Sequence, residues 1–257
     1  MFTKIFGKET ISELDWSSII NGSELKGFYK PMVMQSSKIF VRNSGHSVEI
    51  LQINDRLYPL TLGKKTNKGT CYLFSFLAQY VDYGREEILS GTSYSRNQKI
   101  IARYVFPLFK YIGNLLGMEN VVFVNNYFLA TNLYEPDTFL CRPWVIQHLK
   151  KRYPDSAIVF RSVNDATDIS LLNVLKSQGG LPLACRRLYI LDPKNSTYRK
   201  KRPVVQDRKL WEKTEDLYWE QVEDISNDES ELLLTYYSAL YLEKYSSLNP
   251  DYTLEFL

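Results

Sequence analysis

A chain of 257 residues, 44% hydrophobic and 24% charged, carries enough apolar mass for one large domain or two small ones and is not disordered or fibrous in composition. A net charge of +3 is too slight to argue for nucleic acid, and no apolar run approaches the roughly 18 to 20 residues that cross a bilayer. Cys71, Cys141 and Cys185 lack paired spacing, and with only His46 and His148 there is no zinc pattern, so no metal site is expected. The odd cysteine count and the missing leader pattern fit a reducing cytoplasm.

In chain order, Ile11 to Ile20 reads as a short helix and Gly22 to Pro31 as loop. From Lys38 the hydrophobic period shortens. KIFVRN, SVEILQIN and RLYPLTL are β-rich runs parted by Asn43-Ser44-Gly45 and Asn54-Asp55, so a β-meander is expected over Ser37 to Leu62. Gly63 to Gly69 is a polar, glycine-bounded turn without the residue order of a P-loop. Thr70 to Val81 reads as another strand and Tyr83 to Ser90 as a short helix. Gln98 to Leu116 is amphipathic: Ile101, Tyr104, Val105, Leu108, Tyr111, Ile112 and Leu115 share one side. Pro107 is expected to kink or split that helix, and Gly117 to end it.

The stretch from Asn120 to Asp192 alternates apolar β runs with helices. Val121 to Val124 and Ala157 to Phe160 read as strands, and Leu181 to Leu191 carries one or two more. Arg142 to Tyr153 is helical, with Val145, Ile146 and Leu149 as its apolar face. The helix after Asp165 or Thr167 has Ile169, Leu172 and Leu175 as its stripe. Polar residues follow each β run, and strand ends of this kind can form a pocket in an α/β layer. Lys194 to Arg208 is basic: a solvated connection, or an anion-binding loop. Lys209 to Val222 and Ser230 to Tyr245 read as helices, and Asn249-Pro250 stops the second.

Five segments in order resemble a family of bacterial N-acetyltransferase-like proteins of the GNAT superfamily. They are Tyr80 to Glu87 (YVDYGREE), Val122 to Asn126 with Ala130 to Tyr134 (VFVNN, ATNLY), Tyr153 to Ile158 with Phe160 to Asn164 (YPDSAI, FRSVN), Cys185 to Asp192 (CRRLYILD), and Lys244 to Ser246 with Asn249-Pro250. The resemblance implies an α/β (α+β) fold, a GNAT-like mixed sheet with helices on both faces, preceded by the N-terminal β-meander. Residues 1–192 would form that domain. Residues 193–257 would be a basic linker and helical segment opening a second GNAT-like half. The implied activity moves an acyl group from an acetyl-CoA, other acyl-CoA or carrier-protein thioester to an amine on a small molecule or peptide. Such enzymes hold the cofactor pyrophosphate on a Gln/Arg-x-x-Gly-x-Gly/Ala turn at a helix N-terminus. The chain has no such turn, so the donor site is expected to be incomplete or lost. The alternative is a non-catalytic module of the same fold that binds a small molecule, a peptide or a partner protein.

Acyl transfer needs a base and donors that polarise the thioester. Glu86 and Glu87 are candidates for the base, or two surface carboxylates opening a helix. Tyr189 is a candidate acid, or a core tyrosine. Asn125, Asn126, Thr131, Asn132 and Tyr134 are candidates for substrate binding, or a hydrogen-bonded loop. Arg161 follows a buried strand, where a guanidinium needs a partner, and makes an internal salt bridge or an anion site; Ser162 and Asn164 are candidates for substrate binding, and Arg187 alternates with Arg186 across a strand so that only one of them faces a pocket. Cys185 is a buried structural thiol or, less commonly for such a residue, a nucleophile.

Overall fold

A computed structural model describes residues 2–63, 69–135, 138–185, 197–215, 221 and 225–257. Its centre is a five-stranded sheet in the order β1 (Thr3–Phe6), β2 (Ser47–Ile53), β3 (Arg56–Leu62), β4 (Val121–Val124) and β5 (Ala157–Phe160). Neighbours are antiparallel from β1 to β4, whereas β4 and β5 run parallel. The expected mixed α/β architecture is present. The helices are α1 (Gly22–Gln35), α2 (Gly84–Ser90), α3 (Arg96–Leu115), α4 (Pro143–Arg152), α5 (Ile169–Ser177), α6 (Arg202–Lys213) and α7 (Asn227–Tyr237).

The sheet is covered on both faces, which is why its strands read as continuous apolar runs. Alternation sends Val48, Ile50 and Leu57 to one face, against Tyr29, Met32 and Val33 of α1 together with Phe40, Phe74 and Phe128. Leu51, Ile53, Tyr58, Leu60, Val122 and Val124 face the other way, against Val145 and Leu149 of α4 and Leu171 of α5. The β2–β3 hairpin turns at Asn54, whose φ of 54° is the left-handed conformation that asparagine tolerates. Gly63 lets β3 approach β4: its N–H meets the Val121 carbonyl at 2.6 Å, and a Cβ there would lie 2.5 Å from the Val121 side chain.

Several local expectations are corrected. Gly22 to Pro31 is helix rather than loop. Two glycines and a proline lower its propensity, but Tyr29, Met32 and Val33 at helical spacing bury against the sheet and decide the conformation. Ile11 to Ile20 holds two single 3-10 turns, Ile11–Glu13 and Trp16–Ser18. The meander takes its third strand from Thr3–Phe6, because Lys38 to Asn43 contributes only a 3-10 turn and an isolated bridge from Val41 to Tyr252. Thr70 to Val81 is a turn leading into a wide helical turn, Ala78–Tyr83, that runs on as α2. Two acceptors make it helical: Ser75 Oγ takes the Ala78 N–H at 2.8 Å, and the buried Glu119 carboxylate takes the Leu77 N–H at 3.0 Å and the Ser75 hydroxyl at 2.7 Å. Burial pushes the Glu119 carboxyl above the usual range against these hydrogen bonds. On α5 the residue sealed in the core is Leu171, while Ile169 is exposed. Leu181 to Cys185 has no strand, and the rest of that expected strand lies outside the described residues. The helix expected over Lys209 to Val222 is α6, which starts at Arg202 and ends at Lys213.

α3 follows expectation in extent but not in direction. A capping box starts it, with Ser95 and Gln98 each accepting the other's N–H, and Gly117 at φ 68° ends it. It runs continuously through Pro107. Its body-facing side is Ala102 and Gly113, so the apolar stripe points outward: Tyr104, Leu108, Tyr111 and Leu115 are each more than half exposed.

The chain divides into two units, residues 1–183 with 227–257, and residues 184–226. The helical C-terminal segment is therefore part of the sheet unit and not of the piece that begins at 184. Asn43 is the clamp. Its Nδ2 donates to the Ser247 and Asn249 carbonyls at 3.0 and 2.8 Å, and its Oδ1 accepts the Asp251 N–H at 3.0 Å. Arg42 pairs with Asp251 at 2.9 Å, and the Thr253 N–H reaches the Phe40 carbonyl. Phe256 packs with Phe28, Phe40 and Tyr252.

Two outcomes are expected. Asn43→Ala removes three bonds at a partly buried junction and lowers stability by about 2–3 kcal/mol in urea unfolding. His46, buried against the Phe74 ring at 5.5 Å, has its pKa pulled down to about 4 by burial. Below the ordinary histidine value of about 6.5 the unfolded chain takes up a proton that the folded chain refuses, so stability falls as pH drops through this window. By pH 5 the wild type should have lost about 2 kcal/mol more than His46→Phe, measured as the change in urea midpoint from pH 7.

Candidate functional site

The polar residues after β4 and β5 meet in one buried knot. β4 and β5 pair from Val121–Ala157 to Val124–Phe160 and then part. Each chain turns through a left-handed residue just beyond its strand, Asn125 at φ 59° and Ser162 at φ 64°. Non-glycine residues hold such conformations where surrounding bonds enforce them. Asn125 Nδ2 donates to the Leu133 carbonyl at 2.9 Å, closing the loop back on itself.

Asn126 is fully buried, and its side-chain amide uses both donors and both acceptor positions. Its N–H meets the Pro59 carbonyl, and its Nδ2 donates to Thr61 Oγ1 at 3.2 Å and the Leu73 carbonyl at 3.1 Å. Its Oδ1 accepts from the Phe128 N–H and from the Arg161 guanidinium at 3.2 Å. Arg161, also buried, reaches the Leu129 and Ala130 carbonyls at 3.4 Å. Two further bonds tie the loop to the end of β5: the Asn132 N–H donates to Ser162 Oγ at 3.0 Å, and the Tyr134 hydroxyl to the Arg161 carbonyl at 2.7 Å. Burial holds the Tyr134 phenol well above the tyrosine range, opposed by the neighbouring Asn132 amide and the Arg161 charge, so it stays a neutral donor.

The structure therefore brings together Asn125, Asn126, Asn132, Tyr134, Arg161 and Ser162. Thr131 lies on the same loop but is exposed. Asn164 is engaged elsewhere: its Oδ1 accepts the Ala166 and Thr167 N–H groups, and its Nδ2 donates to Asp168 and Thr167 at 2.8 Å, which knits the turn before α5. Glu86 and Glu87 open α2 away from the knot. Glu86 accepts the Ser246 hydroxyl at 2.5 Å, which ties α2 to the C-terminal segment, and Glu87 is exposed. Arg187 and Tyr189 lie outside the described residues. Cys185 is exposed rather than buried. Among the described residues, no group of acids, histidines and cysteines has the arrangement of a metal site.

Cys71, Tyr237 and Tyr252 were not among the candidate residues. Cys71 is sealed in the core, and burial pushes its thiol up to about 12, so it is an unreactive packing group. Tyr252 donates to the Phe128 carbonyl at 2.7 Å and lies tilted against the Tyr237 ring, centroids 5.2 Å apart. The available signal was the YTLEF run, whose aromatics return to the core. A concavity of about 480 Å³ lies elsewhere, over β1 and the β2–β3 turn, with Lys4, Glu13, Asp15, Gln52 and Asn54 on its wall.

The chain matches no family model, no curated protein and no solved structure. The GNAT resemblance thus rests on its sequence segments alone.

If Arg161 holds the loop, Arg161→Leu should cost about 2–4 kcal/mol in chemical unfolding, because it leaves the Asn126 oxygen and two carbonyls short of a donor. Amide exchange at Asn132 and Leu133 should rise more than that at Val122. Equal acceleration at both would mean global loosening and not release of the loop.

Proposed function

We propose that the parted ends of β4 and β5 form the donor side of an N-acyltransferase-type site, which takes an acyl group from a CoA or carrier-protein thioester to an amine. The observation that supports this reading is the parallel pair itself. Two strands run side by side and part at left-handed residues, so backbone groups beyond Val124 and Phe160 are no longer spent on each other. An extended acyl-thioester arm can pair with such groups. Thr131, exposed on the intervening loop, is the one candidate in the knot's loop that faces solvent, and it suits contact with the acceptor.

A second reading, a non-catalytic binding module on the same frame, has its own support. The loop from Asn126 to Tyr134 spans the parted ends through Asn132 and Tyr134. Glu86 is engaged with Ser246 and not with the knot. In that reading the knot is a structural lock, and recognition occurs elsewhere on the surface.

Calorimetry with acetyl-CoA separates the two. Micromolar binding that tightens in Tyr134→Phe, which releases the outer loop without removing a group the donor would use, supports the acyl-transfer reading. Heat indistinguishable from dilution at millimolar acetyl-CoA, with the chain folded by circular dichroism, leaves the binding-module reading.

A further inference from the structure

Two outward-facing amphipathic helices on the sheet unit have opposite charge. α3 exposes Ile101, Tyr104, Leu108, Tyr111, Ile112 and Leu115. Its charged residues are Arg96, Lys99, Arg103 and Lys110, and there is no acidic residue between Glu87 and Glu119. Among the described residues, only Lys110 of these is paired with an acid, Asp82. On a helical projection with Ala102 and Gly113 toward the body, the cations line one flank of the outward apolar stripe. α7 exposes Leu232, Leu233 and Tyr236, and beyond it the chain exposes Leu240, Tyr241 and Tyr245. Its charged residues are Asp228, Glu229 and Glu231, all acidic.

Exposed apolar stripes on two helices exceed the scattered single hydrophobics normal on a monomer. A surface of this kind is stable in water when it is covered, and each helix has the charge the other lacks. We propose that α3 of one copy of this chain docks on α7 of a second copy, apolar stripe against apolar stripe, with Arg96, Lys99 and Arg103 beside Asp228 and Glu231 of the partner. Pairing α3 with α3 would set cation against cation, and α7 with α7 acid against acid, so the heterologous contact is the electrostatically favoured one. Where a two-fold axis relates the copies, the contact occurs twice and the assembly closes as a dimer. Where it does not, the same contact propagates head to tail. α7 with the turn that follows it is about 25 Å long and a helix about 10 Å across, so each contact covers on the order of 250 Å². Two such contacts fall somewhat short of the roughly 800 Å² per partner of a standard stable interface, which points to micromolar self-association.

Charge reversal with complementation tests this in the whole chain. Variant one is Arg96→Glu/Arg103→Glu, and variant two is Asp228→Lys/Glu231→Lys. All four positions are exposed, so the fold should survive, which circular dichroism checks. By sedimentation velocity at low salt, the wild type should self-associate with a Kd of roughly 1–100 μM, weakening as salt rises. Each variant alone should weaken association at least tenfold. An equimolar mixture of the two should restore it, since reversed α3 now meets reversed α7. A wild type that stays monomeric at 200 μM overturns the proposal, as does self-association that neither variant changes, or a mixture no stronger than either variant. Flotation with anionic phosphatidylserine vesicles is run in parallel. Binding abolished by variant one, with the protein monomeric in solution, would assign α3 to a lipid surface instead.

Discussion

Asn126 is the side chain through which the parts of this fold are joined. It sits at zero exposure just past β4, and one amide group holds β3 through Thr61, the turn before α2 through the Leu73 carbonyl, the loop through Phe128, and β5 through Arg161. Neutral hydrogen bonds contribute only about 1 kcal/mol each in net terms, but a buried amide left without partners costs more than any one of them. The arrangement is therefore close to all or none. Replacing any one partner strands others at a buried position. That property makes the knot effective at specifying one register of β4 between an antiparallel and a parallel neighbour, where a four-residue strand alone would specify it weakly.

What was legible in the sequence follows how local each determinant is. β2, β3, β4 and β5 announce themselves by apolar runs ending in asparagine, glycine or arginine, and α4 by proline in its first turn. Asn125, Asn126, Arg161 and Ser162 meet because residues after adjacent parallel strands share one edge of the sheet, whereas Asn164 knits the turn before α5. Ser75 to Ala78 misled because the cap that makes it helical is completed by Glu119, 44 residues away. The apolar aromatic composition of Thr70 to Val81 fits a strand and a buried helix equally, and no period decides between them. The loop reading of Gly22 to Pro31 failed for the opposite reason. Its local signals were right about low propensity, and packing of Tyr29, Met32 and Val33 outweighed them.

The role of the site residues was less legible than their grouping. An asparagine after a strand reads the same whether it meets a ligand or a carbonyl of its own chain. Only the geometry tells that Asn125 is spent on Leu133 and Asn164 on the turn before α5. Glu86 is a similar case. An acid pair opening a helix fits a base by type, yet its carboxylate accepts a hydroxyl from Ser246, 160 residues on, and so belongs to the seam that closes the C-terminal segment onto α2.

Within the knot the bonds are graded from inside out, and this grading bears on how a ligand would enter. Asn126 and Arg161 are buried and anchored by several partners each. The outer ties, Asn132 to Ser162 and Tyr134 to the Arg161 carbonyl, are single bonds made by a loop whose residues Thr131 and Leu133 are exposed. Breaking the outer pair costs about 1 kcal/mol per bond when water replaces the partner, whereas pulling Arg161 from its three acceptors costs several. Under the acyl-transfer proposal, the movement that admits a thioester is therefore confined to the outer loop, with the inner knot left standing as the wall against which the donor lies. Such a loop would be fixed at one end by Asn125 and free at Thr131, and its displacement would expose the carbonyl of Arg161 and the hydroxyl of Ser162 together. Those two acceptors lie on adjacent residues just past β5. Under that proposal, the bonds that tie the loop to the end of β5 are the ones a bound donor would take over.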